Sequence, residues 1–186
     1  MNTCSRTESV LVVVDLQDSF LAPISNRAEV LHRCKFLIEA ANALQIPIVA
    51  TEQYATRMGE TNCEIIQVLG EAVPRIDKLC FSCAGSEAFQ SEIRKIGKSQ
   101  AVVIGIETHI CVCQTTLDLL DGGFKTFVAA DAVSGRLPDA HAVALNRLAN
   151  AGAIVTHTES VVYEWLKSAE ASEFKTVLQL VKKYAG

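Results

Sequence analysis

Three side chains could carry a covalent reaction: Asp15 in VVVDLQDSF, Lys78 in RIDKLCFSC and Cys111 in GIETHICVCQ. A thiol attacks as its thiolate, which at neutral pH calls for a base or a neighbouring cation. Asp15 could accept the thiol proton while Lys78 holds that carboxylate and favours the thiolate. The stretch GIETHICVCQTTLDLLDGG, residues 105 to 123, reads as a strand end followed by a helix that stops at Gly122 or Gly123. Ile110, Cys113, Leu117 and Leu120 follow i, i+3, i+7, i+10, the expected core stripe of that helix. Cys111 falls about 200° around the axis from Cys113 and aligns instead with Thr115 and Asp118. It also sits in the first turn after a strand, where backbone N–H groups and the helix dipole favour a thiolate.

Other chemistries compete for these residues. A Cys–His pair would have to use His109, two residues from Cys111, because His32 and His141 lie inside helical patterns and His157 ends the last strand. Asp15 with Asp18 after the first strand also suits a Mg²⁺ site of the phosphatase or receiver kind. Neither Asp15-LQDSF nor Gly105-IETHI is a glycine-rich dinucleotide loop, and no G-x-S-x-G elbow is present. Cys80 and Cys83 form a C-x-x-C that lacks two further ligands for zinc and does not open a helix as a thioredoxin motif does, so two ordinary buried thiols are expected. Seven cysteines, an odd number at irregular spacing, argue for reduced thiols instead of a disulfide framework.

The elements that must position these residues follow from apolar periodicity. Short, β-branched runs at 10–14, 46–50, 101–104, 124–129 and 153–155 read as strands buried on both faces, with a weaker sixth at 75–78. Between them lie helical patterns: Val30, Leu31, Cys34, Leu37, Ile38, Ala41 and Leu44; a helix capped by the Thr61/Glu64 spacing; one starting at Ser86; one opened by Pro138 and closing near Gly152; and an amphipathic tail over 172–184. The alternation predicts one domain over 1–186, a three-layer α/β/α fold with a doubly wound, mostly parallel six-stranded sheet. Ligands in such folds collect at the carboxyl ends of the strands where strand order reverses. Asp15, Glu52, Lys78 and the 105–111 segment all end strands on that edge.

Composition narrows the partners. The chain has 186 residues, 49% hydrophobic and 20% charged, with a formal charge of −4 and scattered Lys and Arg, which disfavours a nucleic-acid partner. No run approaches eighteen apolar residues and MNTCSRTES has no apolar signal core, so no membrane partner is expected and the reading is cytoplasmic, with a mitochondrial location left open.

VVVDLQDSF, VATEQY, DKLCFS and GIETHICVCQTTLDLL, with FKTFVAADAVSG after them, resemble the site segments of the isochorismatase-like cysteine hydrolases, in register over nearly the whole chain. TEQY is similar to the isochorismatase-domain-containing subfamily. The resemblance implies an Asp–Lys–Cys triad on Asp15, Lys78 and Cys111, a cis peptide at Ile106–Glu107, and an oxyanion hole from the amides of Glu107 and Cys111. Phe20, Glu52, Tyr54, Glu107 and Ile110 become candidates for the pocket lining. The implied reaction is hydrolysis of a small amide-like substrate with no cofactor, in a homo-oligomer of two or more chains. Nicotinamidase-like members carry Asp and His after the second strand for a metal; TEQYATRMGETN has no histidine, so no metal is expected. Two rivals stand: a catalytically silent binding or scaffold protein, and an RNA-associated protein or ribonuclease on the same fold. The triad reading further expects Cys111 to be the fastest thiol to alkylate with a flat pH profile, Cys4 to be an ordinary mobile thiol, and Cys34, Cys63 and Cys113 to be inert.

Overall fold

The computed structural model describes residues 3–185. Six strands, β1 (Ser9–Val14), β2 (Ile48–Gln53), β3 (Arg75–Lys78), β4 (Gln100–Ile106), β5 (Lys125–Ser134) and β6 (Ile154–Thr156), form one sheet in the order β3-β2-β1-β4-β5-β6. Every pairing is parallel; Val12, for example, lies between Val49 and Val103. The weak sixth strand expected at 75–78 is therefore real, and it is an edge strand. The order reverses between β1 and β4, so the carboxyl ends of these two strands flank the crevice where such folds bind ligands.

Nine α-helices lie among the described residues: α1 (Asp18–Leu21), α2 (Arg27–Ala43), α3 (Ala55–Met58), α4 (Cys63–Leu69), α5 (Glu87–Ile96), α6 (Cys113–Asp121), α7 (Pro138–Asn150), α8 (Thr158–Leu166) and α9 (Phe174–Tyr184). The continuous apolar run of β1 is split by strand alternation: Leu11 and Val13 enter one core with residues of α2, α8 and α9, while Val10, Val12 and Val14 enter the other with residues of α5 and the α6 segment. That is why the strand has no polar face. Trp165 of α8 anchors the first layer by donating its buried indole N–H to Ser9 Oγ at 3.0 Å.

Local signals held with small shifts. Asn62, not Thr61, caps α4, its side chain accepting from the Glu64 N–H at 3.0 Å, because the Thr61 hydroxyl is committed to Glu52 Oε1 at 2.7 Å. The helix carrying Cys111 begins as a π turn over Thr108–Val112, which adds a residue before α6. The buried face is consequently Val112, Cys113, Thr115, Thr116 and Leu119; of the expected stripe Cys113 is buried, whereas Ile110, Leu117 and Leu120 are only half-buried. Helix α8 had no counterpart in the sequence reading. No helix of the described residues is long and apolar enough to cross a membrane.

Candidate active site

Gly105 brings the two central strands together. It has φ +116°, and a Cβ there would lie 2.0 Å from Val14 O, so only glycine allows β1 and β4 to meet at their carboxyl ends. On leaving β1 the chain turns through a left-handed Asp15, φ +49°, which aims the carboxylate back over the sheet edge. Its Oδ1 accepts from Thr51 Oγ1 at 2.7 Å and its Oδ2 from Lys78 Nζ at 2.8 Å. The Lys78 ammonium meets Gln53 Oε1 at 2.7 Å, Phe81 O at 3.1 Å and Cys80 O at 3.2 Å as well. Three N–H bonds thus face four oxygens, and no donor remains for a substrate. Burial works against the charge on Lys78, but the Asp15 carboxylate beside it opposes this and its pKa is raised. Both partners of this ion pair are buried, so Lys78 is no surface charge.

Cys111 lines the same cavity as that carboxylate and is coupled to its charge. Burial pushes its pKa up, the negative Asp15 adds to the rise, and Lys78 only partly opposes it. The raised pKa favours the protonated sulfur beside Asp15, not the helix-stabilised thiolate expected from position. The stripe on which Cys111 lies is nonetheless real and faces the loop after β3: Thr115 Oγ1 accepts from the Cys83 N–H at 2.9 Å and Asp118 from Ser82 Oγ at 2.6 Å. Thr115 and Asp118 therefore fix the loop through which Lys78 is held.

Beside these groups opens a cavity of about 140 Å³. Its wall is Phe20, Phe81, Ile106 and Ile110; its polar margin is Asp15, Gln53, Glu107, Cys111 and Arg136. The peptide Ile106–Glu107 is cis, as the resemblance implied. Glu107 is tied to the β5–α7 connection, one carboxylate oxygen accepting from the Arg136 N–H at 2.8 Å and the other from its guanidinium.

Of the sequence candidates, Asp15, Lys78, Cys111, Glu107, Phe20 and Ile110 converge here. Glu52 and Tyr54 do not line the cavity. Alternation along β2 turns Glu52 to the other face, where it binds Thr61 and Arg75. Tyr54 is left-handed and partly exposed, with Arg57 stacked over its ring. The polar residue of β2 that reaches the site is Gln53, clamped through its backbone N–H by Gln17 Oε1 at 2.6 Å. The same alternation places Thr51 with Gln53, so period two was the available signal. Phe81, Ile106 and Arg136 were also missed, and Arg136 comes from a segment with no strand-end motif.

The competing chemistries lose their geometry. Asp18 binds Asn62 Nδ2 at 2.6 Å, away from Asp15, and among the described residues no three His, Cys, Asp or Glu side chains converge as a metal site. His109 Nδ1 is buried without a hydrogen-bond partner, so it makes no bond to the Cys111 thiol. Cys80 is half-buried, whereas Cys83 is buried inside the network around Asp15 and is more than a packing thiol.

A three-layer α/β protein with an acid, a lysine and a thiol gathered at its switch point is the class that fold and site define. The chain belongs to the isochorismatase family, whose domain model matches residues 9–160. It is 36% identical over 179 residues, 95% of this chain and 85% of the other, to a secreted isochorismatase effector, Isc1, of Phytophthora sojae. Among solved structures it is similar to the MAR1 ribonuclease of Caenorhabditis elegans, at TM-score 0.91 and 34% identity over 97% of this chain and 92% of that one. The YcaC gene product of Escherichia coli, described as an octameric hydrolase of unknown specificity, shares the fold at TM-score 0.90 and 20% identity over 98% and 93% of the two chains.

Proposed function

We propose that the chain acts as one cysteine hydrolase domain on a small amide-like substrate, with Asp15 as base, Lys78 as its holder and Cys111 as nucleophile. The observation that carries this reading is the buried carboxylate beside the thiol: Asp15 and Cys111 line one cavity while Thr51 and Lys78 occupy the two carboxylate oxygens. As the thiol proton passes to Asp15, sulfur bonds to the substrate carbonyl carbon, and the amides of Glu107 and Cys111 receive the oxyanion. Asp15 then gives its proton to the departing amine as the C–N bond breaks, leaving a thioester. Water, losing a proton to Asp15, attacks that thioester; the C–S bond breaks, the acid leaves and the sulfur recovers its proton. The raised pKa of Cys111 means that proton and charge move together on attack, instead of a thiolate waiting in the resting site. Lys78 has no free donor, so its task is to orient Asp15 and offset charge.

The cavity volume equals about five waters at ~30 Å³ each, which suits a compact acyl group. The donor set after β2 favours metal independence, since Glu52 and Tyr54 are engaged elsewhere. The test is release of carboxylic acid from a panel of small amides in the presence of EDTA, with Cys111→Ala beside the wild type. Turnover that survives Cys111→Ala, or that chelator abolishes, overturns the reading.

The name of the C. elegans structure raises a second reading, RNA cleavage or binding. The small cavity and the formal charge of −4 weigh against it, and salt-sensitive RNA binding without amide turnover would establish it. Assembly is proposed on the exposed Leu79, Phe81, Leu137 and Val143, which are 70%, 56%, 52% and 67% exposed. Light scattering should give at least a dimer. The thiol chemistry calls for a reducing compartment, with the cytoplasm as the proposed location.

A further inference from the structure

Cys83 is a second thiol beside the reacting carboxylate, and the mechanism above gives it nothing to do. It is buried completely, with its sulfur 3.5 Å from Thr51 Oγ1 and its N–H on Thr115 Oγ1. The Thr51 hydroxyl has one hydrogen, and that hydrogen is on Asp15 Oδ1 at 2.7 Å. Toward Cys83 the same oxygen can only accept, so the thiol is the donor of that contact. Burial and the charge of Asp15 push the Cys83 thiol up to about 11, which keeps its proton in place.

We propose that Thr51 and Cys83 are positioning residues for the reaction: the Cys83 thiol sets the rotor of the Thr51 hydroxyl, and that hydroxyl fixes and partly neutralises the Asp15 carboxylate that takes the Cys111 proton. The inference rests on the triad reading, in which Asp15 acts on Cys111. The relay runs from Thr115, one turn beyond Cys111 on α6, through the backbone and side chain of Cys83 to Thr51 on β2 and Asp15 after β1. It ties the nucleophile's helix, the Lys78 loop and the base together from the side opposite Lys78. Without the Thr51 donor one carboxylate oxygen would be left buried and unpaired, its charge less dispersed and its repulsion of a Cys111 thiolate greater.

The test follows iodoacetamide labelling of individual cysteines by mass, from pH 6.5 to 9.5, in the full chain. Exposed Cys63 serves as the internal rate standard and buried Cys34 as the sentinel for unfolding. Thr51→Val should slow Cys111 labelling about threefold to tenfold at pH 8 and move its profile to higher pH. Thr51→Ser should restore it, Cys83→Ala should shift it in the same direction by less, and Cys83→Ser should resemble the wild type. Cys63 rates should not change. Asp15→Asn separates the two levels, because it removes the repelling charge and should move the profile to lower pH. If Asp15→Asn leaves Cys111 unmoved, the triad reading fails. If Asp15→Asn moves it while Thr51→Val and Cys83→Ala do not, the triad stands and the positioning role is overturned. Should Thr51→Val expose Cys34, the decision passes to Cys83→Ala against Cys83→Ser.

Discussion

Asp15 receives donors from Thr51 and Lys78 beside the Cys111 thiol, and the variants at this cluster separate chemistry from stability. Asp15→Asn keeps the shape but removes the proposed base, so turnover should fall by about 10²–10⁴-fold in single-turnover measurements. Lys78→Ala should lose activity similarly but cannot leave the fold untouched. With Lys78 fully buried against Asp15, its removal strands a buried carboxylate, a change that costs about 3–5 kcal/mol and should show in the urea midpoint. The thiols also reorder. Cys4 is buried, its backbone N–H bonded to Glu164, and burial raises its pKa, so it should resist alkylation despite its place near the start. Cys63 is exposed at the start of α4 and should label first, while Cys111 should label with a rate that climbs with pH because its own pKa is raised. Peptide mass mapping reads all three.

At the scale of elements, the decisive contact is where β4 passes β1. Gly105→Ala places a methyl carbon on Val14 O in a backbone conformation that L residues rarely adopt, so β4 must move away. The expected loss is about 3 kcal/mol or more in urea unfolding, with the Asp15–Cys111 contact broken before the chain unfolds. That second part is read from Cys111 labelling without Cys34 labelling at low urea. The π turn before α6 belongs to the same scale. It moves Cys111 relative to the rest of the helix, and so sets which residues of α6 face the Lys78 loop.

Over the whole molecule, buried thiols couple stability to alkaline pH. Cys4, Cys34, Cys83 and Cys111 all have pKa values raised by burial above the ordinary 9.0. A group whose folded pKa is raised contributes stability that is full below the unfolded value and is lost as pH rises toward the folded one. Unfolding free energy should therefore be flat below about pH 8 and fall above 9, by ~1.4 kcal/mol per pH unit for each thiol that stays protonated only when folded. For Cys83 the fall ends near 11. Urea titrations from pH 7 to 10 check this, and Cys34→Ala should reduce the slope.

The sequence by itself determined what depends on near neighbours in the chain. Short, continuous β-branched runs fit strands buried on both faces, and their alternation with helices favours parallel crossovers, so the sheet and the edge holding Asp15, Lys78 and Cys111 were legible. Glu52 was misassigned although the rule was at hand, since a strand alternates faces and Gln53 shares one with Thr51. Arg136, Phe81 and the partners of Cys83 were decided only by tertiary structure. Arg136 reaches the cavity through a carboxylate 29 positions away, and Cys83 meets Thr51 across 32. The protonation of Cys111 was likewise a tertiary matter. The helix start favours a thiolate, but burial and the charge of Asp15, brought from another strand, outweigh that local dipole.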